Sequence, residues 1–377
     1  MENKSERKIC LDAAKGWGIL MVMYGHITQK GNPFDLYFSI YKISIFFIVS
    51  GYLLHMTGSM HRYTLPAFLK RSFRSIGVPY FCYSVIFILY QLIIDLLRGA
   101  GRQTVMSHLV NRGYLMISLR GYSTMWFLSA IFLGEILFAL VWHSPLRWKI
   151  LSAILVIPLC IPVNPLLNSM KANLSSGQYK LFSYPFLALS RGIMAFGYIG
   201  AGYLLYGVLR KIRRIRDQLA TGIICSAAVI VLSRFLRHAD LNHMLFGKPF
   251  PLYLFCSILG PVGVILLFQA VEHWYKMPLL SWTGRNSLII MATHGTLRFK
   301  NICYAGFFAV YKLTEQSGLA YGLQCIGVEA HLLLMEAGVA AVVNRCFPFL
   351  AGRGFQRNRQ GELSKGDHFA NTAQKNT

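Results

Sequence analysis

Apolar runs long enough to cross a hydrocarbon core recur along the chain, beginning near Leu11, Tyr37, Ile76, Thr124, Ile150, Tyr184, Leu219, Leu252, Leu279 and Leu319. Charged residues gather in the connectors between them. The pattern predicts an all-α, polytopic integral membrane protein with about ten transmembrane helices. Two connectors are long enough to fold outside the bilayer, Arg98 to Ser123 and Asn164 to Ser183. The first contains VMSHLVNRGYLMISL, whose apolar residues at mixed spacing suit an amphipathic helix at the interface. No soluble domain and no internal repeat interrupts the series. The organisation expected is a cytoplasmic N-terminus over 1–10, a transmembrane domain over 11–350 and a disordered cytoplasmic tail over 351–377, where the chain turns polar and rich in Gly, Gln, Asn and Lys.

The first apolar run departs from the pattern. LDAAKGWGILMVMYGHITQ carries Asp12, Lys15 and His26. On a helix, the step from Lys15 to His26 turns through about 1100°, three turns and roughly 20° more, and the step from Asp12 leaves an offset of about 40°. The three ionisable groups therefore share one face, which must look toward protein or water while the rest faces lipid.

Composition agrees with a membrane protein: 55% of the 377 residues are hydrophobic and 14% charged. The formal charge of +24 would suit a nucleic-acid binder, but its placement argues against one. The densest block, RKIRRIRD at Arg210 to Asp217, is a short connector that the positive-inside rule keeps cytoplasmic. Alternate connectors then follow it inside: KSERK, HRYTLPAFLKRSFR, RWK at Arg147, and the tail after Arg345. Both termini are expected to be cytoplasmic. The segment from Arg98 to Arg120, with four arginines, lies outside in this scheme and is its weakest point. The eight cysteines form no CxxC pair and read as small buried hydrophobes, so neither a disulfide framework nor a metal site is expected. NLS at Asn173 is a formal sequon with no further meaning here. The polar MENKSERK leads into a helix longer than a signal-peptide core, and the expectation is a permanent anchor.

Ionisable groups inside a membrane are costly, so each is a candidate for function, with a helix-pinning polar pair as the alternative. Asp12 and Lys15 could pair with each other or reach the headgroups. His26 stands apart. It follows Gly25, whose missing side chain leaves room for an approach to the ring, and a neutral imidazole can take a proton from a hydroxyl and release it. Glu135 is the only carboxylate of its run and calls for a basic partner. Trp126 sits near an interface, as tryptophans often do. Ser287 and His294 share a helix face just after Asn286, in position for substrate contact or an inter-helix hydrogen bond. Arg191, alone in an apolar run, could hold an anionic group. Arg71 and Arg74, three apart, either anchor a cytoplasmic helix end or grip phosphate oxygens with their planar forks.

These residues fall into motifs. DAAKGWGILMVMYGH resembles the opening signature of the acyltransferase 3 superfamily of membrane O-acyltransferases, in which ten residues separate a base from a histidine, as they do Lys15 and His26. FFIVSGYLL resembles the family's second-helix motif, LKRSFRSIGVPY its RxxR loop, MWFLSAIFLGE its WFL helix and WTGRNSLIIMATH its late motif. The likeness is greatest to the fucose 4-O-acetylase-like and polysaccharide O-acetyltransferase branch. There the second helix usually reads F-H-M-P-L-F-F, whereas YKISIFF places Lys42 and Ser44 where histidine and proline are expected, so acceptor binding is expected to differ.

The resemblance implies a multi-pass protein of the cell (inner or plasma) membrane of a bacterium. It would move an acetyl or other acyl group from cytoplasmic acyl-CoA to a hydroxyl of a cell-surface or lipid-linked glycan, with no permanently bound cofactor. In this reading His26, Lys15, Asp12 and Glu135 serve catalysis, Arg71 and Arg74 bind the CoA, and Trp126, Arg191, Asn286, His294 and Lys42 bind substrate. His26 acts as general base or as a transient acyl carrier. Lys15 and His26 lie about 16 Å apart along the helix axis, comparable to the reach of an extended phosphopantetheine arm, which would thread a polar seam between them. The competing classes are a transporter or flippase for a lipid-linked saccharide and a regulatory membrane protein. A transporter would favour paired, interrupted helices in two halves of the chain.

Overall fold

The computed structural model describes residues 8–28, 33–295, 301–303, 305–306 and 318–353. Residues 1–7 of the expected N-terminal segment and 354–377 of the expected tail lie outside the described residues. Within them the chain is helical, with a single isolated bridge between Asp240 and Leu245. The helices are α1 (Ile9–Ile27), α2 (Pro33–Tyr41), α3 (Ser44–Met56), α4 (Ser59–Arg62), α5 (Leu65–Ser72), α6 (Val78–Leu97), α7 (Arg102–Ile117) and α8 (Trp126–Trp142). They continue as α9 (Leu146–Cys160), α10 (Val163–Asn173), α11 (Ser176–Leu209), α12 (Ile215–Ser233), α13 (Phe250–Val271), α14 (Pro278–Arg285), α15 (Ser287–Thr293) and α16 (Gly318–Cys346). A π-helical turn over Phe73–Gly77 joins α5 to α6.

Among the described residues, seven helices are long and apolar enough to cross a membrane, or eight if α9 and α10, bent by 47° between them, form one broken span. The bend falls at Ile161 and Pro162, where a residue without an N–H cannot continue the ladder. Two expected spans do not meet that standard. The run at Leu279 is split into α14 and α15 at Asn286, each too short to cross alone. The run at Leu11 forms α1, but 13 of its 19 residues are buried against other helices. Its neighbours are α2, α3, α13, α14, α15 and α16, and a helix sheathed in protein can keep charges that lipid would expel. By contrast, large apolar side chains on α6, α9, α11, α12 and α16, among them Leu97, Ile154, Leu204, Ile224 and Leu334, point outward. An apolar exterior around a polar-bearing centre is the arrangement of a multi-pass membrane protein.

Two close crossings hold the centre. At Gly284 of α14 a Cβ would overlap the Asp12 carbonyl oxygen, and at Gly16 of α1 it would overlap that of Leu280. Gly51 of α3 and Gly202 of α11 meet the Ile199 and Ile48 carbonyls in the same way. Glycine permits backbone-to-backbone contact, which gives helices dispersion contacts that lipid cannot displace.

The segments expected outside the bilayer are helical too. α7 buries no residue and is tied to α6 through Asp95, which accepts from Arg112 Nη1 at 2.7 Å and pairs with His108 Nδ1 at 3.1 Å. The Asn164 to Ser183 segment becomes most of α10 and the first turns of α11, which opens with a capping box between Ser175 and Gln178. At 34 residues, α11 is about 51 Å long against a hydrocarbon core of about 30 Å. Its span is therefore shorter than the helix, and Ser176–Ser183 is its extension toward α7, bound there by Tyr114, whose hydroxyl donates to the Leu181 carbonyl at 2.6 Å.

Candidate active site

His26 occupies the last turn of α1 and is exposed. His294, just beyond the end of α15, is 1% exposed. The two rings stand 5.2 Å apart, tilted by 45°. A carbonyl only accepts, so the 2.6 Å contact of His294 Nδ1 with the Ile290 carbonyl makes Nδ1 the protonated nitrogen and fixes the ring's orientation.

His26 opens on a polar cavity of about 190 Å³ whose lining includes Gly25, Asp35, Lys42, Trp126 and His238. Asp35, on α2, is 3% exposed. Its Oδ1 accepts from Lys42 Nζ at 3.0 Å, and its Oδ2 lies 3.2 Å from His238 Nε2. The space left by Gly25 is filled by this pair: a Cβ there would overlap Lys42 Nζ and lie 2.9 Å from Asp35 Oδ1. Sequence reading gave that room to a substrate; the Lys42 ammonium has it.

The loop from Arg234 to Pro249 closes the cavity's other wall. Its attachments include His238 on Asp35, Ala239 N–H on Ser39 Oγ at 3.5 Å, Asn242 on Arg191, and the His243 carbonyl, which accepts from Asn164 Nδ2 at 2.9 Å. Within it Asp240 accepts from the Asn242 N–H at 3.0 Å and pairs with His243 Nδ1 at 2.8 Å. Burial pushes the Asp240 pKa up, but the His243 hydrogen bond and charge, the Asn242 N–H and the His238 charge together hold it below its ordinary value.

Arg191 is fully buried and its guanidinium is engaged by the protein. Nε donates to the Asn242 carbonyl at 2.9 Å and Nη1 to the Arg120 carbonyl at 2.9 Å, while Nη2 reaches the Asn242 carbonyl and Oδ1. The cation lies 5.1 Å from the centre of the Trp126 ring. Arg191 therefore braces Trp126 and the loop behind the cavity, where sequence reading had it receive an anion.

The other expected site residues lie elsewhere. Lys15 Nζ pairs with Asp12 Oδ1 at 3.0 Å, and Arg285 Nε lies 3.6 Å from Asp12 Oδ2. This cluster marks the far end of α1. On the face that joins it to His26, the stripe Asp12, Lys15, Ile19, Val22, His26 has an apolar middle: Ile19 is 0% and Val22 3% exposed. The shared face exists, but a polar seam along it does not. Asn286 donates to the Trp282 carbonyl at 2.9 Å and accepts from Asn344 at 2.8 Å, which ties α15 to α14 and α16. Glu135 accepts from Ser50 and Ser72 hydroxyls, each at 2.8 Å, and the charge of Arg71, on α5, acts on it as well. Ser72 is buried between Arg71 and Arg74, which are both exposed, with Arg71 5.0 Å from the Tyr63 ring centre.

The structure thus gathers His26, His294, Lys42 and Trp126 from the expected set and adds Asp35, His238 and Asn242, which sequence reading missed. RHADLNH, an alternation of polar groups in a connector on the side of His26, was the available signal. Among the described residues no cluster of His, Cys, Asp and Glu is arranged to hold a metal ion.

A multi-pass helical protein thus sets an exposed and a buried histidine side by side, next to a cavity lined by charged and aromatic side chains. The family model described as an acyltransferase domain, acyltransferase 3, matches residues 8–328, and the chain belongs to that family. It is an acyltransferase that transfers groups other than aminoacyl groups. No curated protein and no solved structure matches the chain.

Proposed function

We propose that the protein is an O-acyltransferase of the cell membrane that takes an acetyl group from acyl-CoA and passes it to a hydroxyl of a cell-surface or lipid-linked glycan. The observation that carries this reading is that His26, paired with His294, lines a cavity together with Asp35, Lys42, His238 and Trp126. His26 is the exposed member and serves as general base. It takes the acceptor's hydroxyl proton, the oxygen attacks the thioester carbon, the C–S bond breaks, and the proton passes to sulfur. Trp126 offers the acceptor sugar an aromatic surface whose orientation Arg191 holds.

The donor's nucleotide belongs with Arg71 and Arg74, which flank Ser72, itself linked through Glu135 to Ser50 of α3. RKIRRIRD and both termini face the cytoplasm in this reading, and His26 faces the opposite side.

The test is His26→Ala in membranes, with transfer of labelled acetyl from acetyl-CoA to glycan as readout. General-base catalysis contributes about 10²- to 10⁴-fold, and a loss of at least that size is expected with normal membrane insertion. Full activity in a correctly inserted variant would overturn the assignment.

A further inference from the structure

Acyl transfer needs more than a base. When the acceptor oxygen bonds to the thioester carbon, an electron pair moves to the carbonyl oxygen, and the tetrahedral intermediate carries a negative charge there. A donor aimed at that oxygen in a water-poor site is among the largest sources of rate. His26, protonated at that moment, is committed to returning its proton to sulfur, so a second group must meet the oxyanion.

The cavity's cations can be compared one by one. Arg191 is engaged by the Arg120 and Asn242 carbonyls and the Trp126 face. His238 directs Nε2 at Asp35. Lys42 remains. Its ammonium is seated against Gly25, the residue directly before His26, and its side chain is 17% exposed. Asp35 takes one hydrogen bond from it, and an ammonium has three to give. With His238 on the other carboxylate oxygen, Asp35 steers Lys42 from one side only.

We propose that Lys42 is the oxyanion-stabilising residue of the acyl transfer: its ammonium, steered by Asp35 and seated on Gly25, donates an N–H to the thioester carbonyl oxygen as that oxygen becomes anionic. This rests on the assignment of His26 as base. The atoms balance without any further reagent. The acceptor's proton goes to His26, its oxygen gains the bond to carbon, the carbonyl re-forms as C–S breaks, and the proton moves from His26 to the thiolate. Lys42 starts and ends as an ammonium. Asp35 acts through Lys42 and is a positioning residue.

Gly25 provides a test that leaves every charge in place. An alanine there would press its methyl on the far end of a flexible side chain, so the fold should survive while the ammonium is displaced. The assay is acetyl-CoA hydrolysis by the purified full-length protein, with water as acceptor, because the same oxyanion forms whatever the acceptor. Lys42→Met and Gly25→Ala should each lower kcat by about 10²- to 10³-fold, the loss found when one oxyanion donor is removed, with KM for acetyl-CoA nearly constant. Lys42→Arg should recover part of the loss. If Lys42→Met does not fold, Gly25→Ala decides alone. Unchanged kcat in the folded variants, or a rise in KM only, overturns the role of Lys42. Should His26→Ala be inactive in the same assay, that failure belongs to Lys42 alone; should it also keep full kcat, the base assignment fails and takes this inference with it.

Discussion

Arg191→Lys separates a bracing residue from a substrate-binding one. Lysine keeps the charge but concentrates its donors at one point, whereas Arg191 reaches the Arg120 carbonyl with Nη1 and the Asn242 carbonyl with Nε. One ammonium cannot serve both, so at least one buried carbonyl loses its donor, at a cost of about 1–3 kcal/mol. Weaker stacking on Trp126 adds on the order of 1 kcal/mol. The sum, about 2–4 kcal/mol, falls on the attachment of the Arg234–Pro249 loop. At about 1.36 kcal/mol per factor of ten, the loop should open roughly 30- to 900-fold more often. Hydrogen exchange followed by mass spectrometry in detergent reads this directly. The Asp240 and Leu245 amides, which bond to each other's carbonyls at 2.8 and 2.9 Å, should exchange faster by that factor, while α12 and α13 stay protected. Unchanged exchange in the loop together with weaker substrate binding would refute the bracing role and return Arg191 to the substrate.

Two further outcomes are expected. Arg71→Lys and Arg74→Lys keep charge but lose the fork; if each arginine hydrogen-bonds a CoA phosphate, losing that bond costs about 1.5–3 kcal/mol, and acyl-CoA binding measured in detergent should weaken by about tenfold or more, whereas a pure anchoring role leaves affinity unchanged. Asp240 has its folded pKa below its ordinary value, so the stability it contributes is present above the unfolded pKa of about 3.9 and is lost as pH falls through the lower folded value; exchange of the Asp240–Leu245 segment should rise with acidification there, and in Asp240→Asn that dependence should vanish.

The membrane class was legible because apolar runs report burial in lipid directly. The number of spans was less so: α1 carries charges and is largely buried by other helices, and the run at Leu279 breaks at Asn286 into two short helices. His26 stood out by its isolation in an apolar run, and the helix that forms there carries Asp12, Lys15 and His26 along one stripe. What lay between them could not be judged from spacing alone, because Ile19 and Val22 occupy the same stripe. Asp35 and His238 meet only through tertiary packing, one from α2 and the other from a connector far along the chain. Glu135 was read as needing a cation because a lone carboxylate in lipid does; two serine hydroxyls from α3 and α5 bond it directly, and the Arg71 charge acts on it from α5.

The apolar middle of the α1 stripe also has an electrical meaning. Ile19 and Val22 hold no exchangeable proton, so along this face nothing relays protons between the Asp12–Lys15 cluster and His26. The Asp12–Lys15 cluster and His26 are therefore separated along this stripe by buried apolar side chains. In the proposed topology, a voltage across the membrane would drop over this apolar stretch, where each unit charge displaced involves about 2.3 kcal/mol per 100 mV. In the proposed mechanism an uncharged acyl thioester passing alongside would feel none of that field, whereas an acyl group bearing its own carboxylate would, so that topology would favour neutral cargo.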